Sequence, residues 1–158
     1  MISASLVLLW ILRLPLPRCA PGAECREVAE AISEAANADR DPVAAAALLT
    51  SVAWHESHFS LYAASRGDDL GFGLFQLSRE WTLFPVSPEL QAHMALWLIR
   101  DSLDRCGDLT EYGSGQCGVA RDEMQERSEL ACELEDALYI EPEAPRLMKR
   151  TNARRTRR

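Results

Sequence analysis

Glu56 is the carboxylate of this 158-residue chain whose placement points most directly to chemistry. Val52 lies four positions before it, Leu49 seven and Ala45 eleven. That spacing sets Glu56 on the apolar face of a helix rather than on the solvated one. A carboxyl group on such a face loses water, and desolvation favours its protonated form. An acid that keeps its proton near neutral pH can deliver it to the oxygen of a glycosidic bond. On spacing alone, Glu56 could equally be a helix-terminal residue that reaches solvent. Two further features bear on the choice. Ser57 follows immediately, and after an interval comes Gly71-Phe72-Gly73-Leu74-Phe75-Gln76. Glycines there let backbone approach a ligand, and the Gln76 amide can both donate and accept hydrogen bonds. Tyr112-Gly113-Ser114-Gly115 supplies a third polar element flexed by glycine.

Asp68 and Asp69 precede the glycine-rich segment and are candidates for a second carboxylate. An inverting hydrolase needs such a group about 6.5–9.5 Å from the acid to activate water. The same two residues also suit an ordinary turn. His55, Glu56 and His58 do not make a zinc helix, because His-Glu-x-x-His would need a histidine where Phe59 stands. No Gly-x-Ser-x-Gly is present, so Ser57 is not set up as a nucleophile. Trp54, Trp81 and Trp97 could stack on sugars or fill the core, and Trp81, in the irregular stretch, is the one expected to touch sugar.

The elements that must position these groups are mostly helical. One helix is expected from about Glu24 to Ala38, with Val28, Ile32 and Ala35 in register. A second opens at Asp41-Pro42, an acidic cap followed by proline at the first helical position, and runs to Glu56. Ser87-Pro88 opens a third that stops at Gly107; its middle is apolar nearly all round, which predicts a buried central helix. The fourth covers roughly Val119 to Leu138, with Met124, Ala131, Leu134 and Leu138 on one stripe. Residues 65–77 read as loops with a small strand pair. The fold class is therefore mainly α, with a small irregular or β insert after the helix that carries Glu56.

Length and charge divide the chain. Residues 1–20 form a hydrophobic leader, signal-like in its Leu6–Leu12 run, but without a preceding Lys or Arg and with a poor cleavage pattern. A leader that docks on the body is the alternative. Residues 21–140 form one domain, and residues 141–158 a basic tail expected to be disordered. Six of the 17 Lys and Arg side chains lie in the last ten positions, so the rest of the chain carries 11 basic against 24 acidic groups. Such an acidic body argues against nucleic acid as the partner. The tail either solubilises or grips an anionic envelope surface. Of the five cysteines, Cys106 and Cys117 bracket a glycine-rich loop and could staple it in an exported protein. No Cys-x-x-Cys pair supports a metal site.

In series, Trp54-His55-Glu56-Ser57, Gly71-Phe72-Gly73-Leu74-Phe75-Gln76 and Tyr112-Gly113-Ser114-Gly115 resemble the lysozyme-like superfamily. The most similar branches are the soluble-type lytic transglycosylases and the goose-type lysozymes. The resemblance covers Val43 to Gly118, about half the chain, and implies a lysozyme-like helical domain. It implies Glu56 as general acid, Ser57 as support for substrate or nearby backbone, Gln76 as a cleft residue, and Tyr112 as a hydroxyl close to the catalytic carboxylate. Phe75 stands where methionine is usual, and Gly113 where asparagine is common. The implied reaction is cleavage of the β-1,4 bond between N-acetylmuramic acid and N-acetylglucosamine in peptidoglycan, with no cofactor and no metal. A lytic transglycosylase would use Glu56 alone, as acid and then base. An inverting goose-type muramidase would add Asp68 or Asp69 as base, and a non-catalytic peptidoglycan-binding relative is the third possibility. The implied location is the bacterial envelope, periplasmic or secreted, or a phage protein acting on the wall.

Overall fold

The computed structural model describes residues 1–15, 17–19, 22–63, 71–78 and 86–139. Six helices and one two-stranded antiparallel sheet occur among them: α1 (Ala4–Arg13), α2 (Ala23–Asn37), α3 (Pro42–Ser57), β1 (Gly71–Phe72), β2 (Leu77–Ser78), α4 (Pro88–Cys106), α5 (Thr110–Ser114) and α6 (Arg121–Tyr139). The fold is mainly α, and the sheet pairs Gly71 with Ser78 and Phe72 with Leu77.

Helix α3 is the centre of the body. Ala45, Ala46, Ala47, Leu49, Val52 and Ala53 have no measurable exposure, and α1, α2, α4 and α6 all pack against it. Its alanines explain this, since small side chains let neighbouring helices come close on several sides. Asp41 caps its start by accepting from the Ala44 N–H at 3.2 Å, with Pro42 in the first turn. It ends because His58 and Phe59 both adopt left-handed backbone, at φ 53° and 65°. Glu56 and Ser57 therefore sit in the last helical turn, just before the chain reverses.

The expectation of a central α4 is corrected. Ala92, Ala95, Leu96 and Ile99 are buried, but Leu90 and Trp97 on other faces are exposed. The helix is capped by Ser87 and stopped by Gly107 at φ 75°, as its sequence predicts. Its inner face meets α2, and just beyond the end of α2 the Arg100 guanidinium donates to both carboxylate oxygens of Asp39 at 2.8 and 2.9 Å.

The apolar leader is helix α1, and it packs on α2 and α3. Val7, Trp10 and Ile11 are fully buried in the same core as Val28, Ile32 and Leu49. Asn37 fastens its start, donating to the Ile2 carbonyl at 2.9 Å and accepting from the Ile2 N–H at 2.8 Å. Removing a core side chain such as Ile32 or Leu49 would leave a cavity costing about 2–5 kcal/mol. Two disulfides form, Cys19–Cys25 and Cys106–Cys117, and Cys132 is free on the exposed side of α6. No helix among the described residues is long and apolar enough to cross a membrane. The basic tail beyond residue 139 lies outside the described residues.

Candidate active site

Residues 73–76 form a tight turn between β1 and β2, and contacts from four places in the chain pin it. The Ser57 hydroxyl donates to the Leu74 carbonyl at 2.8 Å, and to Ala53 one turn back along α3 at 3.2 Å. The Leu74 N–H donates to Oε1 of Gln91 on α4 at 2.8 Å, while Nε2 of Gln91 holds the Val86 carbonyl at 2.9 Å. The Tyr112 hydroxyl, from α5, donates to the Phe75 carbonyl at 2.9 Å. The Gly73 N–H donates to the Ala63 carbonyl at 2.8 Å. Glycine is required at position 73, because φ is +78° and a Cβ there would lie 2.2 Å from Oε1 of Gln91.

This pinning brings Glu56, Gln76 and Tyr112 to one cleft of about 490 Å³. Phe75, Leu77, Trp97 and Leu98 supply its apolar wall, with Trp97 57% exposed at the rim. Ser57 is buried and is not among the residues lining the cleft; its hydroxyl holds the turn. Gln76 lines the cleft with its backbone left-handed at φ 48°, and its amide nitrogen is spent on the carbonyls of Ala63 and Gly73. Burial pushes the Tyr112 phenol well above its ordinary range, and the charge of nearby Glu56 pushes the same way against Arg127. Tyr112 therefore acts as a hydrogen-bond donor and not as a base.

The segment carrying Tyr112 is a one-turn helix rather than the loop its glycines suggest. Gly113 packs directly against α6. A Cβ at that position would lie 2.2 Å from Cε of Met124, so α5 rests on α6 against the flexible end of that side chain, which a larger residue would have to displace. The Tyr112 N–H donates to the Ser102 hydroxyl at 3.2 Å, and the Cys106–Cys117 disulfide closes the segment at its base.

Glu56 is not surrounded by apolar groups alone, which corrects the expectation from spacing. Its Oε1 accepts from Nη2 of Arg127, on α6, at 2.8 Å. The two side chains keep only 19% and 11% exposure. Position 127 lies between Met124 and Ala131 on the apolar stripe of α6, and a charged residue in that stripe was the signal for it. Three further charged groups line the cleft: Asp101, Arg105 and Glu111. Arg105 bridges the other two, at 3.4 Å to Asp101 and 2.7 Å to Glu111. Nothing in their sequence spacing marks them as site residues. Asp68, Asp69 and Trp81 lie outside the described residues.

His55 points to a different groove, between α3 and α6, lined by Trp54, Glu126, Glu129 and Glu133. Burial lowers its pKa from 6.5, with Arg127 adding to the effect and Glu126 opposing it. The ring of Trp54 packs edge-on against His58, centroids 4.3 Å apart. Where Cys106, Glu111 and Cys117 converge, the two sulfurs are bonded to each other, leaving no thiolate for a metal.

Comparison of the chain with family models, curated proteins and solved structures finds no match.

Proposed function

We propose that the protein cleaves the β-1,4 bond between N-acetylmuramic acid and N-acetylglucosamine in peptidoglycan. The reading takes the helical body as a lysozyme-like domain and Glu56 as its general acid and base, in the manner of a lytic transglycosylase. The observation that carries it is the shared cleft. Glu56, at the end of a buried helix, lines the same 490 Å³ space as Gln76 and Tyr112, although these residues come from three separate stretches of chain. Those stretches are the three whose order and residue types resemble the superfamily. The apolar and aromatic wall, with polar groups at a few points, suits a glycan ring.

In this mechanism Glu56 protonates the glycosidic oxygen as the bond breaks. The 6-hydroxyl of the muramoyl residue then closes on its own anomeric carbon and returns a proton to Glu56. No second carboxylate and no cofactor take part. The inverting route would draw its base from Asp68 or Asp69. The two disulfides suit an oxidising compartment such as the periplasm or the exterior.

One observation favours a second reading. The Glu56–Arg127 pair occupies the carboxylate that the reaction needs, as a structural ion pair would in a peptidoglycan-binding relative without activity. Clearing of a peptidoglycan suspension separates the two. Mass analysis of the released fragments then separates the routes: anhydro ends for the transglycosylase, reducing ends for the hydrolase.

A further inference from the structure

Arg105 is held at the cleft by part of its guanidinium and leaves the rest unspent. Its Nη1 meets Glu111 of α5 at 2.7 Å and Asp101, one turn back on α4, at 3.4 Å. The Glu111 side chain keeps 18% exposure against 62% for Arg105, so the carboxylate is set in the wall and the guanidinium stands out from it. Among the described residues, Nε and Nη2 of Arg105 make no hydrogen bond. At Arg100 the same two nitrogens form the fork that grips Asp39. At Arg105 that fork is open, on a residue that lines the cleft.

Trp97 and Asp101 lie eight and four positions before Arg105 on α4, so the three share one helix face. All three line the cleft, and Trp97 is 57% exposed at its rim. The face thus offers an aromatic surface, a two-pronged donor and, in the carboxylates, acceptors. A sugar chain can use each of these, since the faces of its rings are apolar C–H groups and their rims carry hydroxyl and amide oxygens. The charges indicate which kind of ring. Arg105 brings one positive charge, and Asp101 with Glu111 brings two negative ones, so the group opposes an added carboxylate and suits neutral oxygens.

We propose that the Trp97–Asp101–Arg105 face of α4 is a sugar subsite of the cleft that takes a ring without a carboxylate at Arg105. The Arg105 fork donates to oxygens of that ring, the acetamido carbonyl first among them. Asp101 and Glu111 orient the fork and accept from ring hydroxyls. Trp97 lies about 12 Å along the helix from Arg105 and carries the face of the neighbouring ring. In peptidoglycan the ring at Arg105 is then N-acetylglucosamine, because the lactyl group of N-acetylmuramic acid carries a carboxylate or a peptide. The proposal rests on the reading of the cleft as a glycan site and names the residues that set its preference.

Calorimetric binding of the N-acetylglucosamine hexamer tests this. Arg105→Lys keeps the charge beside Asp101 and Glu111 but removes the fork, and Trp97→Ala removes the aromatic surface. Each should weaken binding about tenfold. Trp97→Phe, which keeps a ring, should recover most of the loss. Both positions are exposed, so thermal unfolding should show wild-type stability in each variant. A galacturonic acid hexamer, with a carboxylate on every ring, should bind roughly tenfold more weakly than the neutral hexamer. Wild-type affinity in either Arg105→Lys or Trp97→Ala overturns the proposal. So does equal or tighter binding of the galacturonic acid hexamer, or a wild type that clears peptidoglycan without binding the neutral hexamer; a protein that clears in any of these cases leaves the glycan reading standing. Weakened binding in the variants of a protein that clears nothing upholds the subsite and moves the function to glycan binding without cleavage. A wild type that neither binds the hexamer nor clears peptidoglycan removes the glycan reading, and the proposal with it.

Discussion

The Ser57 hydroxyl and the Leu74 carbonyl lie 2.8 Å apart, and this bond ties the turn at residues 73–76 to the helix that carries Glu56. The spacing between acid and cleft wall therefore depends on a buried serine that no ligand can reach. Ser57→Ala should lower stability by about 1–2 kcal/mol, the cost of leaving a buried carbonyl short of a donor. Urea unfolding measures it. Cleavage should fall with it through a looser turn, and unchanged stability would show that the bond is idle.

Gly113 and Met124 are predicted to be coupled. Gly113→Ala places a methyl group where Met124 already sits, and should cost about 1–3 kcal/mol through overpacking. Met124→Ala opens space there, so the double variant should be more stable than the sum of the two single changes implies. Additive losses would argue against the contact.

The α5 segment also relies on its disulfide. Cys106 and Cys117 are 11 positions apart, and closing a loop of that size constrains the unfolded chain by about 3 kcal/mol. Cys106→Ser with Cys117→Ser should lower the unfolding temperature and expose residues 107–118 to proteolysis. An unchanged digestion pattern would show that the Ser102 and Met124 contacts hold the segment without it.

Much of this architecture is legible in the chain, and the illegible parts have physical causes. Asp41-Pro42, Ser87-Pro88 and Gly107 mark helix ends because capping is local chemistry. An apolar run that docks on a helical body and one that leads export share one composition, so the Leu6–Leu12 run fits both readings. Helix α5 reads as a loop because its glycines suggest flexibility, whereas Gly113 is there to admit Met124. Gln91 is hidden among buried α4 residues, and its importance comes from Leu74, a contact across 17 positions that no period reveals. Arg127 could have been found. It interrupts the apolar stripe of α6 as Glu56 interrupts that of α3, and two opposite charges on apolar faces need each other.

His55 gives stability a pH dependence of definite sign. Burial, helped by Arg127, lowers its pKa from 6.5 in the folded protein, so the unfolded chain binds the proton more tightly. The contribution is fully present above about pH 6.5 and is lost as pH falls below it toward the folded value. Urea unfolding at pH 7.5 and 5.5 should show the wild type weakening on acidification, and His55→Gln weakening less. Equal slopes would show that His55 is not the group responsible.

The proposed cleavage requires that Glu56 transfer a proton to the glycosidic oxygen. Its most direct test is the clearing rate of a peptidoglycan suspension by the wild type and by Glu56→Gln, a change that keeps shape and removes the acid. Clearing by the wild type is expected, with a loss of about 100-fold or more in the variant, the share that a positioned acid contributes. Equal clearing by the two proteins, or none by either, would contradict it.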